Sequence, residues 1–179
     1  IEYRFGAELE FGTAGMRGII GYGTNMMNVY TVRRATKGLA EYVKSLGEGA
    51  CRRGVAISYD TRRKSEEFAR AAAGVLAANG IRAWIFDEVH PVPMLSYAVR
   101  KLGAIAGIMI TASHNPKEYN GYKAYWDDGA QMISPHDKNT ISEVNKIRSV
   151  SDINFNGNPA LVEMIGKEID EKYIARVKA

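Results

Sequence analysis

The sequence has little cysteine and no long apolar run, and both absences limit what the protein can be. Its 179 residues include one cysteine, Cys51, so no disulfide can form within the chain, which favours a reducing compartment. No apolar stretch approaches the roughly 18 residues that a bilayer-crossing helix requires. The first residues do not have the charged-then-apolar pattern of a signal peptide, so we expect none. We therefore expect a cytoplasmic protein that does not associate with a membrane.

An excess of one charge sign is also missing. The 24 lysines and arginines are nearly balanced by 20 aspartates and glutamates, which leaves a formal charge of +4. Nucleic-acid binding requires a denser basic stripe or a recognisable module, and the sequence has neither, so we expect no nucleic-acid partner. Basic clusters such as Arg62, Arg63 and Lys64 are typical of solvated surfaces, and attraction of an anionic substrate is the second interpretation.

What the sequence does contain is an alternation of helical and extended apolar patterns. A hydrophobic content of 46% is enough to bury a core. Spacings of three and four residues predict helices, and short apolar runs predict strands. The predicted helices cover 28–46, 65–79, 93–102 and 160–178, with another beginning at Ser134 and Pro135, and the predicted strands cover 55–59, 81–86, 104–110 and 122–126.

This alternation predicts an α/β fold, a three-layer sandwich in which helices flank a mixed, mostly parallel sheet. The strand at 122–126 follows its neighbour through a short connection, so we expect that pair to be antiparallel. Ser65 is expected to cap the helix that it begins, and Pro135 to occupy a first helical position. Residues 1–150 are predicted to form one domain, and 151–179 a polar linker and a helix that lead towards a second domain.

The clearest chemical motif is TASHNP at 111–116, which begins where the apolar run 104–110 stops. A serine on the loop that leaves the carboxyl end of a buried strand lies where open α/β sheets commonly bind ligands. The motif does not favour a serine hydrolase. Ser113 and His114 are adjacent and point to opposite sides in an extended segment, and the G-x-S-x-G pattern is absent around Ser113.

Three motifs together resemble the α-D-phosphohexomutases, the family of phosphoglucomutases and phosphomannomutases. They are FGTAGMRG at 11–18, YDTR at 59–62, and TASHNP followed by NGYK at 120–123, in the family's order. The segment YNGYKAYWDDGAQ further resembles the branch that contains phosphoglucomutases and phosphopentomutases. The resemblance covers the first of the family's four domains, the one that carries the phosphoserine loop.

The resemblance implies that Ser113 carries a phosphate, gives it to a sugar monophosphate and takes a phosphate back from the resulting bisphosphate. Sugar 1-phosphates and 6-phosphates, or pentose 1- and 5-phosphates, would thereby interconvert. Lys123 matches the family lysine beside the phosphoserine, which would stabilise charge and assist proton transfer. Arg17 matches an arginine that contacts phosphate, and His114 an active-site histidine. The expected catalytic residues are thus Ser113, His114 and Lys123, and the expected substrate-binding residues are Arg17, Ser113 and Lys123.

The family's magnesium loop, D-G-D-x-D-R, does not occur in the sequence, nor do its sugar-binding loop and its distal phosphate-binding domain. The resemblance implies that Mg²⁺ contacts the phosphate on Ser113 while aspartates of a missing domain supply the other protein ligands. It also implies hexose 1,6-bisphosphate as an activator. The expected partners are a sugar monophosphate and the remaining domains of the same chain, and the fragment alone is expected to be inactive. A non-catalytic sugar-phosphate-binding or regulatory relative with the same fold is the alternative.

Other features have structural interpretations. The glycines of FGTAGMRG lack the G-x-G-x-x-G spacing of a dinucleotide-binding loop, and we expect them to allow close backbone approach beside the serine loop. Asp60 and Arg62 are expected to hold a turn, with contact to the active site as the second interpretation. His90 and His136 lie far from any metal-ligand spacing and are expected to be structural or exposed.

Overall fold

The computed structural model describes residues 1–12 and 15–179. Its sheet contains the strands β1 (Gly15–Ile19), β2 (Val55–Tyr59), β3 (Ala83–Phe86), β4 (Ala106–Ile110), β5 (Tyr119–Trp126) and β6 (Val162–Ile165). The helices are α1 (Glu2–Phe5), α2 (Val29–Ser45), α3 (Glu48–Arg53), α4 (Ser65–Ala78), α5 (Val92–Leu102), α6 (His136–Lys146) and α7 (Lys167–Lys178). Short 3-10 helices lie at Val150–Asp152 and Pro159–Leu161.

The strands lie in the order β1-β5-β4-β2-β3-β6. β4, β2, β3 and β6 run parallel to one another, whereas β5 pairs antiparallel with both β1 and β4. The mixed, mostly parallel sheet and the antiparallel strand after the serine loop are therefore confirmed. The carboxyl ends of β2 and β4 consequently lie at the same edge of the sheet as the amino end of β5, and this edge carries the serine loop.

Helices cover both faces of the sheet, and β2 shows how the sequence divides between the two layers. Ile57 belongs to the core cluster that includes residues of α2 and α4, whereas Ala56 packs with Leu95 and Val99 of α5. Successive strand residues point to opposite faces, so a strand covered on both sides is buried along its whole length, as β2 is. This arrangement confirms the predicted three-layer sandwich.

Two predictions about helix starts are wrong. The residue at the N-cap of α4 is Lys64, in the left-handed conformation with φ of 66°, and it makes no side-chain cap. The hydroxyl of Ser65 instead donates to Asp60 Oδ1 at 2.8 Å. Pro135 lies at the N-cap of α6, one position before the first helical residue. The turn that precedes α4 is therefore held by Asp60 and not by the helix itself.

The segment after residue 150 differs most from the prediction. Residues 162–165 form β6, which pairs with β3, and the helix begins only at Lys167. Val162 contacts the α2–α4 side of the sheet and Ile165 the α5 side, which is the alternation of a strand. Ile169 of α7 joins Ile165 in that second cluster. That residues 151–179 lead towards a further domain stays a prediction.

Candidate active site

The serine loop is anchored where it leaves the carboxyl end of β4. Thr111 donates its N–H to the carbonyl of Gly121 in β5 at 3.0 Å, and its hydroxyl donates to Asp60 Oδ2 at 2.6 Å. The same hydroxyl accepts the N–H of Ser113 at 3.0 Å. Because Asp60 directly follows β2, the first residues of the loop are tied to the strands on both sides of β4.

Ser113 adopts a backbone conformation that residues other than glycine rarely occupy. Its φ is 54°, in the left-handed region, which costs an L-residue about 1–2 kcal/mol. The turn is closed by a hydrogen bond from the Asn115 N–H to the carbonyl of Ala112 at 3.1 Å. Ser113 is exposed, so this turn presents its hydroxyl at the surface.

Arg62 holds the backbone of the loop beyond Ser113. Its two terminal nitrogens donate to the carbonyl oxygens of Ser113 and Asn115, both at 2.7 Å, and of Pro116 and Tyr119, at 2.9 and 3.1 Å. This contact with the serine loop goes beyond the turn that the sequence predicts for Arg62. The YDTR motif was the available signal, but nothing in the motif shows which distant carbonyls the guanidinium binds.

Asp60 connects Arg62 to the rest of this edge. Its Oδ1 accepts the N–H of Arg62 at 3.0 Å and the hydroxyl of Ser65 at 2.8 Å, which confirms the predicted turn. Its Oδ2 lies 3.5 Å from Arg62 Nε and accepts the Thr111 hydroxyl. Both carboxylate oxygens are therefore engaged within the protein.

Lys123 of β5 reaches the serine hydroxyl. Its Nζ donates to Ser113 Oγ at a distance of 2.5 Å. The register of the sheet brings it there, because Lys123 pairs with Met109 of β4 and with Gly15 of β1. The structure thus places Ser113 and Lys123 in contact, ten residues apart in the sequence.

The surroundings of Lys123 disfavour its charged form. Burial lowers the pKa of the Lys123 ammonium, and the guanidinium of Arg17 lowers the pKa further, while the carboxylate of Asp60 opposes the change. Desolvation and a neighbouring cation both penalise an ammonium, so Lys123 gives up its proton more readily than an exposed lysine.

Arg17 joins the same edge from β1. It pairs with Gly121 of β5, and its Nη1 donates to Asn115 Oδ1 at 2.6 Å. Gly15 makes this pairing possible: its φ is 130°, and a Cβ at that position would lie 1.8 Å from the carbonyl oxygen of Tyr122. The expected close approach of a glycine to the neighbouring strand is therefore present. Thr13 and Ala14 of the same motif lie outside the described residues.

The three histidines occupy different surroundings. His114 is exposed on the serine loop, beside Ser113 in the chain. His90 is buried, with Nδ1 2.9 Å from the carbonyl oxygen of Glu88 and Nε2 2.8 Å from Asp170 Oδ1. The ring of His136 stacks on Trp126 at a centroid distance of 4.0 Å. His90 and His136 therefore have the structural contacts that the sequence analysis expects.

Carboxylate, imidazole and thiol groups do not cluster in the part of the chain that the structure describes. Within residues 1–12 and 15–179, no group of three or more such side chains is arranged to hold a metal ion. None of the helices in these ranges has the length and hydropathy of a membrane-crossing segment. The chemical groups described around the serine loop are the hydroxyls of Ser113 and Thr111, the carboxylate of Asp60, the imidazole of His114 and the basic side chains of Lys123, Arg17 and Arg62.

Comparison with known proteins gives consistent matches. The family model for phosphoglucomutase/phosphomannomutase, alpha/beta/alpha domain I, matches residues 8–151. A phosphopentomutase from Homo sapiens is 46% identical over 140 residues, which make up 75% of this chain and 23% of that protein. A phosphoglucomutase from Staphylococcus haemolyticus is 41% identical over 162 residues, which make up 90% of this chain and 29% of the relative.

The fold is similar to a solved structure as well. A crystal structure of a candidate phosphomannomutase from Thermus thermophilus superposes with a TM-score of 0.80 and 30% sequence identity. The match covers 96% of this chain and 36% of that one. The chain therefore spans about a quarter to a third of the length of the proteins that it matches.

Proposed function

Because this chain belongs to the phosphoglucomutase/phosphomannomutase family and corresponds to its domain I, we propose that it supplies the phosphoserine of a sugar-phosphate mutase. The observation that carries the proposal is the 2.5 Å contact between Ser113 Oγ and Lys123 Nζ on an exposed loop. A cation at this position stabilises the negative charge that develops on Oγ when a phosphorus–oxygen bond to it breaks. Ser113 is thus suited to release a phosphoryl group and to take one up.

In the proposed reaction, phosphorylated Ser113 reacts with a free hydroxyl of a sugar monophosphate. The phosphorus–Oγ bond breaks as the sugar oxygen bonds to phosphorus and gives its proton to solvent water, and Lys123 supplies a proton to Oγ. The bisphosphate then reorients, and the reverse transfer of its other phosphate restores the phosphoserine and returns a proton to Lys123. The lowered pKa of Lys123 beside unphosphorylated Ser113 favours this return step, because a general base works best with a pKa near the working pH.

Arg17 and His114 complete the part of the site that this chain contributes. Asn115 Oδ1 accepts a hydrogen bond from Arg17 Nη1 and so orients the guanidinium. The remaining N–H groups of Arg17 suit a phosphate oxygen of the substrate. His114 is exposed beside Ser113, where it contacts the sugar phosphate in this proposal. In this proposal Arg17 binds the substrate together with Ser113 and Lys123, and His114 is a catalytic residue along with Ser113 and Lys123.

Mg²⁺ is the metal expected for this reaction, and the described residues of this chain do not complete a site for it. The ion requires about six oxygen ligands at roughly 2.1 Å, and both oxygens of Asp60 are engaged within the protein. The phosphate on Ser113 would be the ligand from this chain, with the other protein ligands supplied by further domains. When bound, Mg²⁺ would offset the charge of that phosphate. A hexose 1,6-bisphosphate would activate the protein by phosphorylating Ser113.

The test is a phosphosite mass analysis of the full-length protein before and after incubation with hexose 1,6-bisphosphate, followed by glucose 1-phosphate or ribose 1-phosphate. We expect phosphate on Ser113 that leaves as the sugar monophosphate is converted. Ser113→Ala should remove turnover, whereas Ser151→Ala, at an exposed serine outside the loop, should not.

Two results would contradict the proposal. Substantial turnover by Ser113→Ala would exclude Ser113 as the carrier. A Ser113 that stays unphosphorylated in folded, Mg²⁺-loaded protein would instead favour a non-catalytic sugar-phosphate-binding protein. The rates with glucose and ribose 1-phosphate together distinguish a hexose from a pentose substrate.

A further inference from the structure

The side chain of Arg62 binds four carbonyl oxygens in and after the turn that carries Ser113, and we propose that Arg62 is a positioning residue for phosphoryl transfer. The inference rests on the proposed role of Ser113 as the phosphoryl carrier. Arg62 acts through the loop backbone and does not itself bind the sugar or the transferred phosphoryl group. Its contribution is to keep Ser113 Oγ in contact with Lys123 Nζ.

The hydrogen bonds of the guanidinium support positioning rather than substrate binding. The two terminal nitrogens of an arginine carry four N–H groups. Arg62 Nη2 donates to the carbonyls of Ser113 and Asn115, and Nη1 donates to those of Pro116 and Tyr119. Its Nε faces Asp60 Oδ2 at 3.5 Å. Each terminal nitrogen thus donates to two backbone carbonyls and Nε lies beside a carboxylate, so the guanidinium is engaged by the protein rather than by a phosphate oxygen.

The residue that most needs this support is Ser113. Its left-handed backbone, with φ of 54°, is held from both sides: its N–H donates to the Thr111 hydroxyl and its carbonyl accepts from Arg62. Asp60 accepts hydrogen bonds from the Thr111 hydroxyl and from the backbone N–H of Arg62. Both residues that bind the Ser113 backbone are therefore anchored to the turn that follows β2. The unfavourable conformation of the carrier is therefore maintained by the Asp60–Arg62 pair.

The consequence for catalysis follows from the sensitivity of group transfer to geometry. A misplacement of about 1 Å in a reacting group can lower a rate about 10²-fold. A lysine at position 62 would keep the positive charge, but its single ammonium carries three donors on one atom and cannot reach four spread carbonyls. Arg62→Lys should therefore retain the charge of the site and lose the geometry of the loop.

The experiment compares Arg62→Lys, Arg62→Ala and Arg63→Ala in the full-length protein, with Arg63 as an exposed neighbour. We expect kcat to fall about 10²-fold in both Arg62 variants, while KM for the sugar monophosphate changes less than about threefold and Arg63→Ala matches the wild type. Guanidinium chloride at low millimolar concentration should restore kcat of Arg62→Ala at least tenfold, and methylammonium chloride should not. The ³¹P NMR signal of phosphorylated Ser113 should shift or broaden in Arg62→Lys and stay unchanged in Arg63→Ala.

Several results would overturn the inference. One is a fall in kcat of less than threefold, and another is a large rise in KM. A third is a loss of activity that accompanies a lowered unfolding temperature, with no rescue by guanidinium and no change in the ³¹P signal. If wild-type Ser113 never carries phosphate, the proposed function itself fails. If Ser113 is phosphorylated and Arg62→Lys turns over like the wild type, only the role of Arg62 is wrong.

Discussion

Lys123 is the residue whose side chain contacts the Ser113 hydroxyl, and its protonation should respond to the state of that serine. Burial and Arg17 lower the pKa of Lys123 from its ordinary value of 10.5. Phosphorylation of Ser113 adds about −1.5 to −2 charges, and an adjacent anion favours the ammonium form. We therefore expect the pKa of Lys123 to rise when Ser113 is phosphorylated. An NMR titration of the Lys123 side chain with and without the phosphate measures the change, and equal pKa values in the two states would contradict it.

The charge of Lys123 should also matter for the rate. Lys123→Ala removes the group that contacts Ser113 Oγ, and the loss of a comparable electrostatic contact lowers turnover on the order of 10²–10³-fold. The steady-state rate of the full-length protein measures the effect, with Lys117→Ala as the control because Lys117 is exposed in the same segment. A fall of less than tenfold for Lys123→Ala would leave Lys123 with a structural role only.

At the scale of the elements, the position of β1 depends on Gly15. A Cβ at Gly15 would lie 1.8 Å from the carbonyl oxygen of Tyr122. We expect Gly15→Ala to separate β1 from β5 and to lower the free energy of unfolding by about 1–3 kcal/mol or more, the range typical of overpacking. Chemical denaturation of the 179-residue chain measures this. Gly49→Ala is the control, because a Cβ there meets nothing within 4 Å. Equal stability of the two variants would refute the expectation.

The elements that the sequence predicted well are those whose burial is one-sided or complete. The spacing of apolar residues placed a helix at 28–46, and α2 covers Val29–Ser45 with Asn28 as its cap. The apolar run at 55–59 is β2, buried along its length. The sequence wrongly predicts a helix over β6, because Val162, Ile165 and Ile169 are spaced by three and four residues. β6 is an edge strand of four residues, and the alternating pattern of so short a strand is weaker than the helical spacing around it.

The candidate site was predictable in its residue types and not in its hydrogen bonds. The motifs identified Ser113, Lys123 and Arg17, and the sheet register brings all three to one edge. The carbonyls bound by Arg62 lie 51 to 57 residues away in the sequence, and the chain between them gives no local signal of that contact. Ser65 likewise has the residue type of a helix cap, but Asp60 competes for its hydroxyl. Which distant polar groups form hydrogen bonds with each other can be known only once the fold is known.

At the scale of the whole molecule, the site contains several cations, and residues 1–12 and 15–179 form no cluster of metal ligands beside them. Arg17, Lys123 and Arg62 surround the serine loop, and Asp60 is the carboxylate that contacts Arg62 and Thr111. This excess of positive over negative side chains suits a bound phosphate, because Lys123 and Arg17 offset the charge of the phosphate. The proposed Mg²⁺ would add to that offset only if carboxylates from further domains approach the same edge. The complete reaction is therefore a property of a longer protein in this proposal.

This dependence can be measured as magnesium affinity. We expect the 179-residue chain to bind Mg²⁺ at least tenfold more weakly than the full-length protein, because the described residues form no cluster of metal ligands and the ion prefers oxygen donors from carboxylates and phosphates. Thr13 and Ala14, the two residues that the structure does not describe, carry no carboxylate. Isothermal titration calorimetry of both proteins gives the comparison, with Asp60→Asn in the short chain as the control that should leave its weak affinity unchanged. Equal affinities would mean that this chain binds Mg²⁺ by itself, and the ion would then need no protein ligand from another domain.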